Sequence, residues 1–363
     1  MSPILRIKLS RVVTVVTFWI VAAALLALIE HGVLGDTGYY PSTGNPYDPG
    51  RGLVMNSLMG ALGGLLLGLT EVFWLGGRLR ALSLGRKLAT KTGFYLLSIV
   101  VLVCFGALIS NSLRLGVPLW SSESLAAVYT LVADFAFASI VLYFGVVSVG
   151  TLFLLDISET LGQGVLKNFM LGTYHRPLEE ERVFMFLDLK SSTSVAEELG
   201  HVRYFAFLND FFKDLTEPIL ATHGVIYQYV GDEIVISWTP HEGLKGDRCI
   251  RCFFECRTAI ESRASYYRHV YGVVPAFRAG MHIGRATVGE VGSMKKEIVF
   301  SGDALNTCAR IQSLCKEHEK DLLVSGELAD ALTEAGGEVA GENMGEVSLR
   351  GRRRPVRLVA IAT

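Results

Sequence analysis

VFMFLDLKSST at 183–193 and IYQYVGDEIVISW at 226–238 decide how the second half of this chain folds. Each is an apolar run that ends on an aspartate, Asp188 in the first and Asp232 in the second. Such runs predict strands, and Gly231-Asp232 between 224–230 and 233–239 predicts a hairpin turn. Two strands that each bring one carboxylate to the same sheet edge suit a hard divalent cation. Mg²⁺ prefers oxygen ligands and usually takes one or two carboxylates plus substrate phosphates. Phosphoryl transfer is the expected chemistry.

Outward from that pair, strands and helices alternate. The strand at 182–189 leads into a helix that opens near Ser192 and Thr193, runs to Glu217 and is interrupted at Pro218. A long amphipathic helix over about 245–270 follows the hairpin. Next come the strand pair FRAGMHIG and RATVGEVG, a helix from Gly302 to about His318, and shorter strands near 321–325, 345–350 and 355–361. The order β-α-β-β-α-β predicts an α+β ferredoxin-like sheet with helices packed on one face. Cys249, Cys252 and Cys256 fall at helical spacing, and Cys308 and Cys315 lie one heptad apart. Both sets read as small apolar side chains of helix cores.

The first half differs in kind. The chain has 363 residues, 50% hydrophobic and 19% charged, and its mean hydropathy of +0.39 is too high for a wholly soluble protein. The apolar excess falls in four stretches, roughly 12–30, 53–76, 93–113 and 125–155, each near or above the ~20 residues that cross a hydrocarbon core. Four transmembrane helices in a lipid bilayer follow. Arg6, Lys8 and Arg11 precede the first, and Arg78, Arg80, Arg86, Lys87 and Lys91 crowd the second connection, whereas the other two connections offer Arg51 and Arg114. The positive-inside rule then places both termini in the cytoplasm of a multi-pass protein of the inner (plasma) membrane. The Gly- and Pro-rich connection 31–52 reads as an exposed connector. Of two carboxylates within spans, Asp134 is the functional candidate, and Glu71 lies near a span end from which it can snorkel. With a formal net charge of −1, no nucleic-acid partner is expected.

Between the halves, Leu154, Ser158, Leu161, Val165 and Asn168 stand at heptad spacing, which predicts a short parallel coiled-coil stalk. Gly162 and Gly164 weaken it. The expected division is a four-helix membrane domain over 1–153, a helical coupling element over 154–180 and a catalytic domain over 181–363.

Five motifs in order, FLDLKSST, YQYVGDEIVISW, RAGMHIGRATVGEVG, VFSGDALNTCARIQ and VSLRGRRRPV, resemble the catalytic domain of the class III adenylate/guanylate cyclases over roughly residues 181–360. The resemblance implies cyclisation of a nucleoside triphosphate with release of pyrophosphate, using two Mg²⁺ (or Mn²⁺) ions. It makes Asp188 and Asp232 the shared metal ligands, with the Leu189 carbonyl as a further oxygen. It gives the backbone N–H groups of Lys190, Ser191, Ser192 and Thr193 to the terminal phosphates at a helix N-terminus; relatives usually carry Gly-Phe where Ser191-Ser192 stands here. Asn306 and Arg310, one helical turn apart, correspond to the family's transition-state pair. Arg352, within the run Arg350, Arg352, Arg353, Arg354, corresponds to a cation on the terminal phosphates.

The purine pocket departs from the family. Gln228 stands where adenylate cyclases usually carry Lys and guanylate cyclases Glu, and Val299 aligns with the second selecting position. A Gln amide both donates and accepts, so it can pair with either base. ATP is the expected substrate by analogy, with guanylate or dual specificity as the runner-up. In the family the metal aspartates and the purine and transition-state residues of one site come from different subunits. Both sets occur once here, so the resemblance implies a homodimer with two shared sites. Two further readings stand beside it: a weakly active nucleotide-binding regulator, and a channel or transporter with the cyclase as its reporter. The spans leave room for an unknown membrane or extracytoplasmic ligand.

Overall fold

The computed structural model describes residues 3–35, 37–39, 46–75, 82–161, 173–294, 296–337, 340–348 and 355–361. Its first unit, Leu5–Thr160, is helical because its stretches are too long and too apolar for anything else. The helices are α1 (Pro3–Leu34), α2 (Pro49–Thr70), α3 (Leu84–Leu115), α4 (Ser122–Ala133) and α5 (Phe135–Leu161). Four segments are long and apolar enough to cross a membrane: Ile4–Leu34, Pro49–Leu75, Gly85–Leu115 and Phe135–Ser158. Asp48 starts α2 by accepting from the Gly50 and Arg51 amides at 2.9 and 3.1 Å, ahead of a proline at the first helical position where no amide is missed. Gly60, Gly64 and Gly68, four apart, let α2 lie directly on α1. A Cβ at Gly60 would stand 2.7 Å from the Trp19 carbonyl oxygen, the close approach that small residues permit in lipid.

Two readings of the membrane half change. The expected fourth span is broken at Asp134, whose extended backbone separates α4 from α5 and whose carboxylate accepts the Ala136 amide at 2.7 Å. Asp134 is therefore a helix start. Glu71, expected to snorkel, is only 8% exposed. It sits in a π-helical turn that continues α2 over Glu71–Leu75, pairs with the equally buried Lys91 of α3 and accepts from the Tyr95 hydroxyl at 3.2 Å. Beside it, Lys87 pairs with Asp156 of α5. Removing one partner of a buried pair strands the other charge, at a cost of about 3–5 kcal/mol. Lys91→Ala is therefore expected to lower the thermal midpoint of the detergent-solubilised protein sharply, and adding Glu71→Gln to recover most of it. Val165 and Asn168 of the expected stalk lie outside the described residues.

The second unit spans Leu161–Thr363. Its strands are β1 (Leu178–Leu189), β2 (Val225–Val230), β3 (Glu233–Trp238), β4 (Phe277–Val291), β5 (Glu297–Ser301), β6 (Leu322–Ser325), β7 (Gly341–Val347) and β8 (Val356–Ile361). Its helices are α6 (Ser192–Leu199), α7 (His201–Ala221), α8 (Pro240–Leu244), α9 (Arg248–Ser262), α10 (Ala264–Tyr271), α11 (Asp303–Glu317) and α12 (Gly326–Glu334). The strands form one mixed sheet in the order β2-β3-β1-β4-β6-β8-β7, with β5 paired to the far end of β4. The β2-β3-β1-β4 part is antiparallel throughout, the ferredoxin-like order expected from the sequence. β4 and β6 are parallel.

The sheet is covered on both faces. Val183, Met185, Leu187 and Leu189 pack on one side with Phe207, Phe211 and Leu215 of α7, Cys249, Cys252 and Cys256 of α9, and Leu328 of α12. Phe184 and Phe186 turn to the other side, where Ala304 and Cys308 of α11 meet them. A strand buried on both faces reads as an unbroken apolar run, which is why VFMFL does not alternate. The helix expected over 192–217 is broken at Gly200, whose φ of +71° is one that glycine adopts without a steric penalty. Pro218 lies near the end of α7.

Candidate active site

β1 ends where its register with β3 and β4 sets Asp188 opposite Glu233 and Arg278. Antiparallel partners point to the same face, so all three lie on the α11 side with Phe184 and Phe186. The β2–β3 turn brings Asp232 to the same end: Gly231 takes φ +64°, which lets the hairpin close in two residues. Burial and the Asp232 charge push the Asp188 carboxyl above its usual range, while Arg278 and a hydrogen bond from Gln312 of α11 oppose the rise. Glu233 is pushed up to about 7 by burial and by the two aspartates. On the far side, the Tyr204 hydroxyl of α7 is raised by burial and by Asp232, and it is hydrogen-bonded to Ser192.

Half-buried carboxylates crowded at one sheet end are under-neutralised, and a divalent cation relieves that. Asp188 and Asp232 therefore fit Mg²⁺ or Mn²⁺. Among the described residues no three His, Cys, Asp or Glu side chains are arranged to hold an ion, so remaining ligands would be waters, backbone carbonyls or phosphates, as Mg²⁺ commonly accepts. Arg278 stands with Nε 3.6 Å from Asp188 Oδ2, and that buried Nε has no hydrogen-bond partner. Motif reading passes over this guanidinium, as it does Glu233, Tyr204 and Gln312, although its place in RAGMHIG opposite Asp188 follows from strand pairing alone.

Of the loop expected to receive phosphates, fewer amides are left without a partner. The Lys190 amide donates to the Ala276 carbonyl at 2.7 Å and its ammonium pairs with Asp321, so both its donors serve the fold. Ser191 then takes φ +56° with no side-chain cap, leaving the first-turn amides of Ser192 and Thr193 without helical partners. Left-handed backbone strains a serine but not a glycine. Ser191→Gly is expected to leave stability unchanged or raise it by about 1 kcal/mol, read as the denaturant midpoint of the purified protein.

The remaining candidates lie elsewhere on the unit. Gln228 is exposed on the edge strand β2, just after an irregularity in its pairing with β3, and Val299 is on β5. Their neighbours join them: the Phe300 amide donates to the Tyr227 hydroxyl at 3.0 Å, and the two rings meet edge to face at 5.0 Å. Asn306 is exposed and Arg310 partly so, both off the buried stripe of α11 formed by Ala304, Thr307, Cys308, Ile311, Gln312 and Cys315. Among the described residues no ion pair joins Arg310 to Asp188 or Asp232. Arg352 lies outside the described residues.

Residues 177–361 match the family model described as the adenylate and guanylate cyclase catalytic domain. Adenylate cyclase 2 of Rhizobium meliloti (strain 1021) is 36% identical over 210 residues, covering 58% of this chain and 58% of that protein. Adenylate cyclase 1 of the same organism is 27% identical over 152 residues, 40% of this chain and 23% of that one. The chain thus spans well under two thirds of either relative. A solved bacterial light-regulated adenylyl cyclase superposes with a TM-score of 0.51 at 18% identity, over 63% of this chain and 66% of that chain, a likeness of fold.

Proposed function

This chain belongs to the adenylate and guanylate cyclase catalytic-domain family, and from that membership we propose that it is a membrane-anchored nucleotidyl cyclase. It converts ATP to 3′,5′-cyclic AMP and pyrophosphate at sites shared between two copies of the chain. The observation that carries this reading is the carboxylate pair Asp188–Asp232 at one sheet end with the Arg278 guanidinium ion-paired to Asp188 beside it. The relatives named adenylate cyclase support ATP. Gln228, exposed and able to donate or accept, leaves GTP as the second reading.

Asp188 and Asp232 would hold the divalent ions. Such ions, when bound, lower the pKa of an attacking hydroxyl and neutralise charge on phosphate oxygens. The chain's own groups do the rest. The amides of Ser192 and Thr193 receive the terminal phosphates, and Arg278, ion-paired with Asp188, holds that carboxylate in place beside them. The ribose 3′-hydroxyl gives up its proton to water as its oxygen attacks the α-phosphorus, and the bond to the bridging oxygen of the leaving pyrophosphate breaks. Asn306 of the other copy orients the ribose, and its Arg310 neutralises the charge that grows on the α-phosphate, where a planar guanidinium fits two oxygens at once. Gln228 and Val299 of that copy face the base. The membrane unit, with both chain ends cytoplasmic, holds two catalytic units together and sets their relative placement.

Supplying the purified full chain with ATP and GTP together, with Mg²⁺ or Mn²⁺, and identifying the products tests this. Cyclic AMP in excess is expected. Excess cyclic GMP would move the chain to the second reading, and no cyclic nucleotide with either metal would end both.

A further inference from the structure

The contact between α11 and the sheet is closer than side-chain packing allows. A Cβ at Gly280 of β4 would lie 2.2 Å from the Gln312 amide nitrogen, 2.6 Å from its Cα and 2.9 Å from the Cys308 carbonyl oxygen. These are backbone atoms and cannot swing aside. Four residues along β4, a Cβ at Gly284 would stand 3.0 Å from the Ala304 Cβ, so the helix rests on a track of glycines. Cys308 pins it there, its thiol reaching the carbonyls of Phe184 and Gly280 at 3.3 and 3.2 Å, one on each of two neighbouring strands. Buried and pushed well up in pKa, this thiol is a donor, not a nucleophile. Gln312 lies two residues after Arg310 and Cys308 two after Asn306. The seat and the exposed pair therefore alternate along the same two turns or so of helix.

We infer that Gly280 and Cys308 are positioning residues that set the height of α11, and with it Asn306 and Arg310, for the active site completed by a second copy. This rests on the shared-site reading above. Its signature is asymmetry: damage to the seat is felt at the site where that chain supplies Arg310, more than at the site where it supplies Asp188. A methyl group at Gly280 would lift the helix by on the order of an ångström, and a displacement of that size costs about a hundredfold in rate.

The test uses full-length heterodimers isolated through two tags, one chain carrying Asp188→Ala and the other Arg310→Ala, so that one composite site remains. Gly280→Ala placed on the Asp188→Ala chain, which supplies Arg310, is expected to lower kcat about a hundredfold with KM within a few-fold. Placed on the Arg310→Ala chain, where the moved helix reaches the site only through the hydrogen bond from Gln312 to Asp188, it is expected to cost less. Cys308→Ala should show the same asymmetry at smaller size and Cys308→Ser, which keeps a donor, should recover most of it. This pair decides the matter if Gly280→Ala fails to assemble. Equal losses in the two arrangements would overturn the inference while leaving the shared site standing. An inactive parent heterodimer would overturn the shared-site reading, and this inference with it.

Discussion

Alanine at Asp188 or Asp232 is expected to abolish cyclisation while leaving the protein folded and assembled. Each aspartate would hold ions that supply several kcal/mol of charge stabilisation, and at about 1.4 kcal/mol per tenfold the loss is on the order of a thousandfold or more. Folding should survive because neither side chain is part of a buried hydrophobic cluster. Removing one also relieves the repulsion that raises the other's neighbours, Glu233 among them. The measurement is turnover with saturating Mn²⁺ alongside a thermal midpoint. Full activity in either variant would sink the assignment of the metal ligands, whereas a collapsed midpoint would mark the aspartate as structural.

Arg310→Ala is expected to lower kcat by about 10²- to 10³-fold, the usual scale for losing one donor aimed at charge that develops in the transition state. KM should change little, because the lost interaction grows only as pyrophosphate departs. Mixing Arg310→Ala with Asp188→Ala chains then restores up to one intact site per heterodimer. That gain is the strongest expected effect in the opposite direction, since Asp188→Ala is expected to be inactive and Arg310→Ala to keep about a hundredth of the rate or less. Complementation requires that the two residues serve a site from different chains.

Much of this was legible from residues alone, and the failures have physical causes. The apolar runs that end at Asp188 and Asp232 were read as strands because a sheet interior tolerates little else. The order β2-β3-β1-β4 follows from helices that are long enough to cross over and a hairpin that is not. Helix cover on one face was the wrong expectation: α11 fills the other face, and a doubly buried strand such as β1 carries no alternation to announce it. Asp134 and Glu71 depart from their expected roles for a related reason. Hydropathy places a carboxylate within a span, but whether it caps a helix or meets a lysine depends on its neighbours. In the sequence Gly280 reads as any motif glycine; only the fold lays the helix backbone against it.

The sequence by itself determined the two halves of the chain, four apolar spans and an α+β unit, together with the kind of chemistry, because apolar periodicity and the identity of oxygen and guanidinium donors are local properties. Only the tertiary structure decided which of those donors share a place. Register on β1, β3 and β4 put Asp188, Glu233 and Arg278 on one face, the β2–β3 turn brought Asp232 to them, and the glycine seat under α11 held Asn306 and Arg310 apart on its outer flank. Pairing and packing across more than a hundred residues of chain is set by which surfaces can bury one another, and no window of sequence contains that.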